Sequence, residues 1–122
     1  MACILVVEDS DQVLDIIVET LSEAGHRVLR AASAEVARLL LASEPIDLLL
    51  ADCLLGGPDR GDALAVHAKE LGVPSILTTG DPALLGAKSG GSFPILAKPF
   101  RLTQLLETVQ RALADAAARP QA

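Results

Sequence analysis

The sequence predicts a single α/β domain in which helices cover both faces of a parallel β-sheet. Short runs of leucine and β-branched residues alternate with amphipathic segments of helical period, and the alternation repeats five times. The chain has 122 residues, 51% of them hydrophobic, which is enough for one core and too little for two domains with a linker. We therefore expect one folded domain over residues 1–118 and a short tail over residues 119–122.

The predicted strands are short and bounded by turn residues. Charged residues at the ends of the second strand are typical of a sheet edge. The third is almost continuously apolar, as expected of a strand covered on both faces, and Asp52 directly follows it. The five strands are assigned to residues 3–7, 27–31, 46–51, 75–79 and 93–97.

Four helices are predicted from apolar residues at spacings of three and four, beginning near residues 11, 34, 61 and 102. Ser33 and Gly25 are typical capping residues at the start of the second helix and the end of the first. From residue 80 to residue 92 the pattern is weak, so the helix between the last two strands is predicted to be short or degenerate. The residues expected to face the core are Leu14, Ile17, Val18 and Leu21 in the first helix, Val36, Leu39 and Leu40 in the second, and Leu64, Ala68 and Leu71 in the third.

Composition excludes several classes of function. The net charge is −6 and the ten basic residues are scattered, which argues against direct binding of nucleic acid. No apolar stretch approaches the roughly 18 residues of a membrane span, and no leader precedes the first strand, so we expect a cytoplasmic protein without a membrane segment. Cys3 and Cys53 lack metal-ligand spacing and are interpreted as reduced core thiols.

Polar residues follow the predicted strands at the edge where α/β sheets bind ligands. A flavodoxin-like strand order, 2-1-3-4-5, would place the first strand beside the third and bring Glu8, Asp9 and Asp52 together. Three adjacent carboxylates repel one another unless a cation lies among them. Mg²⁺ suits such a site because it prefers oxygen ligands and leaves a position for a phosphate oxygen.

Two further side chains complete a site for phosphoryl transfer. Lys98 follows the fifth strand and Thr79 ends the fourth, so an ammonium and a hydroxyl face the same edge. Positive charge and hydrogen-bond donors are what the transition state of phosphoryl transfer requires. Asp52 would then be the nucleophile, because carboxylates form aspartyl phosphates.

In this arrangement the sequence resembles the receiver domain of two-component response regulators over nearly its whole length. Each matching segment is weak alone, but together they occur in the family order and at nearly the family spacing. The segments are ILVVEDS on the first strand, DLLLAD on the third, SILTTG on the fourth and ILAKPF on the fifth.

The resemblance implies a (βα)₅ doubly wound fold and a phosphoacceptor switch that catalyses only its own phosphorylation and dephosphorylation. Asp52 would accept the phosphoryl group from the phosphohistidine of a histidine kinase or a histidine phosphotransfer protein, and the output would be contact with an unknown downstream protein. The roles it implies for the other residues are metal binding by Glu8, Asp9 and the backbone carbonyl of Leu54, and phosphoryl binding by Thr79, Lys98 and the amide of Gly80. It also implies a cis Lys98–Pro99 bond.

Some features depart from the family, and two other functions stay open. Ile95 occupies a position where many receivers have an aromatic residue that turns inward, so that switch is not available. The loop from Asp52 to Gly61 is about one residue longer than usual. One alternative is a haloacid-dehalogenase-like phosphatase with Asp9 as nucleophile. The other is a receiver-like interaction module that is never phosphorylated.

Overall fold

The computed structural model describes residues 2–53, 61–80 and 93–118, apart from the side chains of Asp62 and Ala118. Five strands and four helices alternate along these residues. The strands are β1 (Cys3–Val7), β2 (Arg27–Ala31), β3 (Leu48–Asp52), β4 (Ser75–Thr79) and β5 (Ile95–Ala97). The helices are α1 (Asp11–Glu23), α2 (Ala34–Ser43), α3 (Gly61–Glu70) and α4 (Leu102–Ala118).

All pairs of neighbouring strands are parallel, and the order is β2-β1-β3-β4-β5. This confirms the predicted order, including β2 at an edge. The central strands β1, β3 and β4 are buried at every position, as expected of strands with helices on both sides.

Each face of the sheet has its own core. On one face, alternate residues of the strands pack against Leu14, Ile17 and Leu21 of α1 and against Leu105 and Val109 of α4. On the other face, the remaining strand residues pack against α2 and α3. The fold is therefore doubly wound, as predicted, and the carboxyl ends of all five strands lie at one edge.

The predicted buried face of α2 was wrong for two of its three residues, since only Leu40 packs against the core. Val36 and Leu39 are 42% and 66% exposed, whereas Ala34, Ala37 and Leu41 are buried. The N-cap was predicted correctly, since the Ser33 hydroxyl accepts a hydrogen bond from the Val36 amide at 3.2 Å. The buried stripe of α2 therefore follows positions 34, 37 and 41, since residues of a close-packed interior are selected by fit as well as by apolar area.

Two strands and one helix are shorter than predicted. Asp47 is not part of β3, because its carboxylate accepts a hydrogen bond from the Cys3 amide at 2.8 Å and so fixes the entry to the strand. β5 begins at Ile95, two residues later than predicted, and Phe93 packs beside it on the core. Leu71 lies in the turn after α3 and is exposed, so it does not extend the buried face of that helix.

Several predictions fall outside the described residues: the longer loop after Asp52, the carbonyl ligand at Leu54, the short helix between the last two strands and the tail over residues 119–122. Within the described ranges, no helix combines the length and apolar character needed to cross a bilayer.

Candidate functional site

The site lies at the carboxyl edge of the sheet, where the strand register aligns the chain ends. Val7 pairs with Ala51, so Glu8 and Asp52 follow at the same level on neighbouring strands. Asp52 in turn pairs with Thr78 on β4. Asp52 is the last residue of β3 instead of the first one after it, and the predicted site residues at the carboxyl ends of β1, β3, β4 and β5 lie at one edge.

Glu8, Asp9 and Asp52 form an acidic cluster in which one oxygen from each carboxylate lies within 4.8 Å of the others. Glu8 is 2% exposed and Asp52 is 8% exposed, whereas Asp9 lies open to solvent. Three carboxylates with one neighbouring ammonium leave a net charge of −2, which matches a divalent cation. The donor set is entirely oxygen, so these residues can hold a metal ion of the Mg²⁺ class.

Lys98 joins the two buried carboxylates. Its Nζ lies 2.9 Å from Oε2 of Glu8 and 3.0 Å from Oδ2 of Asp52. Its backbone amide donates to the carbonyl of Thr79 at 2.7 Å, which fixes the residue to the end of β4. The Lys98–Pro99 bond is cis, as predicted. The ammonium is therefore held at the proposed acceptor oxygen.

The threonines at the end of β4 are both buried. The Thr78 carbonyl accepts a hydrogen bond from the Cys53 amide at 2.8 Å, so this residue links β4 to the end of β3. Gly80 is exposed, and a Cβ added there would meet no atom within 4 Å. The assignment of the phosphoryl-binding hydroxyl to Thr79 stays a prediction. Leu54, predicted as a carbonyl ligand to the metal, lies outside the described residues.

Comparison with known proteins places this geometry in a family. Residues 4–110 match the family model of the response regulator receiver domain. The chain belongs to this family. It is 31% identical to the uncharacterized transcriptional regulatory protein YrkP of Bacillus subtilis over 105 residues, covering 84% of this chain and 45% of that protein. It is also 31% identical to the C4-dicarboxylate transport regulator DctD of Pseudomonas aeruginosa, covering 90% of this chain and 25% of that one. The receiver domain thus spans half or less of the length of these relatives.

Solved structures agree with the assignment. A response regulator receiver protein from Sinorhizobium medicae superimposes with a TM-score of 0.87 at 28% identity, covering 94% of this chain and 96% of its own. The response regulator TrrA from Thermotoga maritima, solved in complex with Mg²⁺-BeF, gives a TM-score of 0.82 at 26% identity and covers 92% and 99%. The family model and the solved structures therefore agree on the fold and the family of this receiver domain.

Electrostatics at the acidic cluster follow from burial. Removal from water raises the pKa of Glu8, and the charge of Asp52 raises it further, although the hydrogen bond from Lys98 acts in the opposite direction. Burial alone would lower the pKa of Lys98, but its contacts with Glu8 and Asp52 outweigh this and raise it. The ammonium therefore stays charged while Glu8 protonates more readily than a surface glutamate.

Because the pKa of Glu8 is raised, we expect the affinity for Mg²⁺ to decrease as the pH is lowered. A protonated carboxyl cannot serve as a ligand, so Mg²⁺ affinity should fall by about tenfold for each pH unit below this raised pKa. The fall should begin above the ordinary glutamate value of 4.5. Titration of Mg²⁺ by NMR at a series of pH values measures it, with Glu8→Gln as control. A variant curve that falls in the same pH window as the wild type would contradict the role of Glu8.

The sequence interpretation missed an apolar groove beside the receiver site. It encloses about 400 Å³ between α1 and the segment after β5, and Lys98 forms part of its wall. Ile16, on the outer side of α1, is 52% exposed there. The signal was present in the sequence, because Val13 and Ile16 extend the apolar face of α1 beyond the predicted buried stripe. The other lining residues are Ile17, Pro99, Phe100 and Leu102.

Proposed function

We propose that this receiver domain is a phosphoacceptor switch of a two-component phosphorelay, with Asp52 as the acceptor. The observation that supports it best is the contact of Lys98 Nζ with Asp52 Oδ2 at 3.0 Å inside the acidic cluster. An ammonium fixed beside a nearly buried carboxylate provides positive charge where the incoming phosphoryl oxygens need it.

In the proposed reaction a carboxylate oxygen of Asp52 attacks the phosphorus of a phosphohistidine. The new O–P bond forms as the N–P bond breaks, and the electron pair of that bond stays on the imidazole nitrogen of the donor. Lys98, the Thr79 hydroxyl and the Gly80 amide bind the phosphoryl oxygens. Glu8, Asp9, Asp52 and the backbone carbonyl of Leu54 would hold Mg²⁺, which would supply the charge that neutralises the acidic cluster.

The proposed partners are a histidine kinase or histidine phosphotransfer protein as donor and a downstream protein as target. In this proposal the domain occupies residues 1–118 of a cytoplasmic protein. It turns over no separate substrate and catalyses only its own phosphorylation and dephosphorylation. Phosphorylation changes its protein contacts without an aromatic switch, because Ile95 takes the usual position of the aromatic residue.

Intact-mass spectrometry tests the proposal on the wild-type chain. Incubation with acetyl phosphate and Mg²⁺ should add one phosphoryl group, and a chelator should abolish the addition. Fragmentation should locate the group on Asp52. A wild-type protein that gains no mass under these conditions would instead support the receiver-like interaction module.

The groove beside Lys98 predicts that a protein phosphodonor binds there, whereas a small phosphodonor such as acetyl phosphate does not need the groove. Lys98 belongs both to the lining of the groove and to the acidic cluster. A protein that brings a phosphohistidine to Asp52 would therefore contact the apolar residues of the groove. Ile16→Asp should slow transfer from such a donor by at least about tenfold, the effect of one interface hot spot. Phosphorylation by acetyl phosphate should be unchanged.

Leu39→Asp provides the matched control, since Leu39 is equally apolar, more exposed and located on α2 at the opposite face of the sheet. Transfer rates are measured with radiolabelled phosphohistidine donor for both variants. Equal slowing by the two substitutions would remove the groove from the proposed contact.

A further inference from the structure

Gly61 is the first residue of α3, the helix that follows β3 in the chain. Its amide donates to the carbonyl of Cys53 at 3.0 Å, so the start of α3 lies beside the end of β3. Among the described glycines, only Gly25 and Gly72 have a positive φ. Backbone conformation therefore does not require glycine at position 61, and helix propensity would favour alanine there.

The space around Gly61 explains the glycine instead. A Cβ at this position would lie 1.9 Å from the carbonyl oxygen of Asp52, 2.7 Å from its carbonyl carbon and 3.0 Å from the Cα of Cys53. Real Cβ atoms essentially never approach another atom within 3.0 Å, so the nearest contact is too short by about 1 Å. All three atoms are backbone, and no rotamer change of a side chain can relieve the overlap.

Neither neighbour of Gly61 is free to move away. Asp52 is paired in register with Thr78, and the Cys53 amide donates to the Thr78 carbonyl at 2.8 Å. On the other side, α3 is fixed by Leu64 and Ala68, both fully buried in the core. An added methyl group must therefore displace the peptide between Asp52 and Cys53 or unwind the first turn of α3.

We propose that Gly61 is a positioning residue of the phosphoacceptor site. The absence of a side chain lets the start of α3 rest on the backbone carbonyl of Asp52, and this contact fixes the direction of the Asp52 carboxylate toward Lys98. The significance for phosphoryl transfer rests on the proposed function. The contact of Asp52 with Lys98 can nevertheless be measured without any transfer.

Gly61→Ala tests the proposal, with Ala68→Gly as the matched control. The control weakens the last turn of the same helix at a buried position, about two turns from Gly61. Three measurements are made at a temperature where both variants are folded by NMR. These are the side-chain ¹⁵N and ¹³C shifts of Lys98, the dissociation constant of Mg²⁺, and the rate of phosphorylation by acetyl phosphate.

We expect Gly61→Ala to move the Lys98 shifts toward those of a solvent-exposed lysine. It should also weaken Mg²⁺ binding at least fivefold and slow phosphorylation at least tenfold, because a displacement of about 1 Å in a reacting group has effects of up to about 100-fold. Ala68→Gly should stay within about twofold of the wild type in all three measurements.

Three results would overturn the proposal: wild-type values in Gly61→Ala, equal losses in Ala68→Gly, or an unfolded Gly61→Ala beside a folded control. The last would make Gly61 a requirement for folding. Failure of the proposed function is recognised separately. If the wild-type chain is never phosphorylated, the difference in Lys98 shifts between Gly61→Ala and the wild type still shows whether Gly61 positions Asp52.

Discussion

Asp52→Asn is expected to lose the phosphoryl adduct while keeping the fold. The amide that replaces the carboxylate is not a nucleophile, so phosphorylation by acetyl phosphate should fall by more than roughly 100-fold. The fold should persist because Lys98 retains its contact with Glu8 at 2.9 Å and because the substitution removes one of three mutually repelling charges. Intact mass and thermal melting by circular dichroism provide the two measurements.

Asp9→Asn is the comparison that separates the acceptor from a metal ligand. Asp9 is the exposed member of the acidic cluster, and loss of its carboxylate should weaken Mg²⁺ binding. A higher Mg²⁺ concentration should therefore restore the phosphoryl adduct in this variant. No concentration of Mg²⁺ should restore it in Asp52→Asn. The reverse pattern, with Asp9 indispensable and Asp52 replaceable, would favour the haloacid-dehalogenase-like alternative.

Lys98→Met is expected to change metal affinity and phosphorylation in opposite directions. Removal of the ammonium takes away the positive charge that competes with a cation for Glu8 and Asp52, so Mg²⁺ should bind about tenfold more tightly. Phosphorylation at saturating Mg²⁺ should nevertheless slow by more than roughly tenfold, because a donor to the transferred phosphoryl oxygens is lost. Calorimetry and a time course of intact mass measure the two effects.

The same variant should be less stable than the wild type when no metal is present. Loss of one partner of a buried ion pair costs about 3–5 kcal/mol, and because the Lys98 side chain is 26% exposed we expect about 1–3 kcal/mol. The loss is greatest above the raised pKa of Glu8, where that carboxylate is ionised, and it diminishes as the pH falls through this pKa. Lys69→Met, at an exposed lysine of α3, is the control. Equal melting temperatures for the two variants would show that the Lys98 contacts add no stability.

The sequence was sufficient to predict the sheet and the edge at which the site forms. Strands can be predicted because a strand covered on both faces must be apolar, and the polar residues that follow such a run are then easy to identify. Glu8, Asp52 and Lys98 were identified in this way, and the strand order brought them together. The bond from Lys98 to Glu8 was not predicted, because the sequence assigned Glu8 to the metal and Lys98 to the phosphoryl oxygens. An ammonium between two nearly buried carboxylates is nevertheless the arrangement that their charges favour.

Features that depend on shape could not be predicted. The sequence offers Val36 and Leu39 as larger apolar residues of α2, yet Ala34 and Ala37 lie in the interior. Gly61 was interpreted only as a possible helix start, because a close approach to the Asp52 carbonyl depends on coordinates and leaves no periodic signal. Both cases depend on how an element packs against its neighbours in space, which the order of residues along the chain does not state.

The bond between Lys98 and Glu8 joins residues that are 90 positions apart in the chain, and the bond to Asp52 spans 46. Contacts of such long range form only after the intervening segments have been ordered. During synthesis the three acidic residues leave the ribosome before the lysine does, so their carboxylates are present before the ammonium that balances part of their charge. Cations of the surrounding solution would be their counter-charge at that stage, and in the folded domain Lys98, directly after the last strand, takes part of that role.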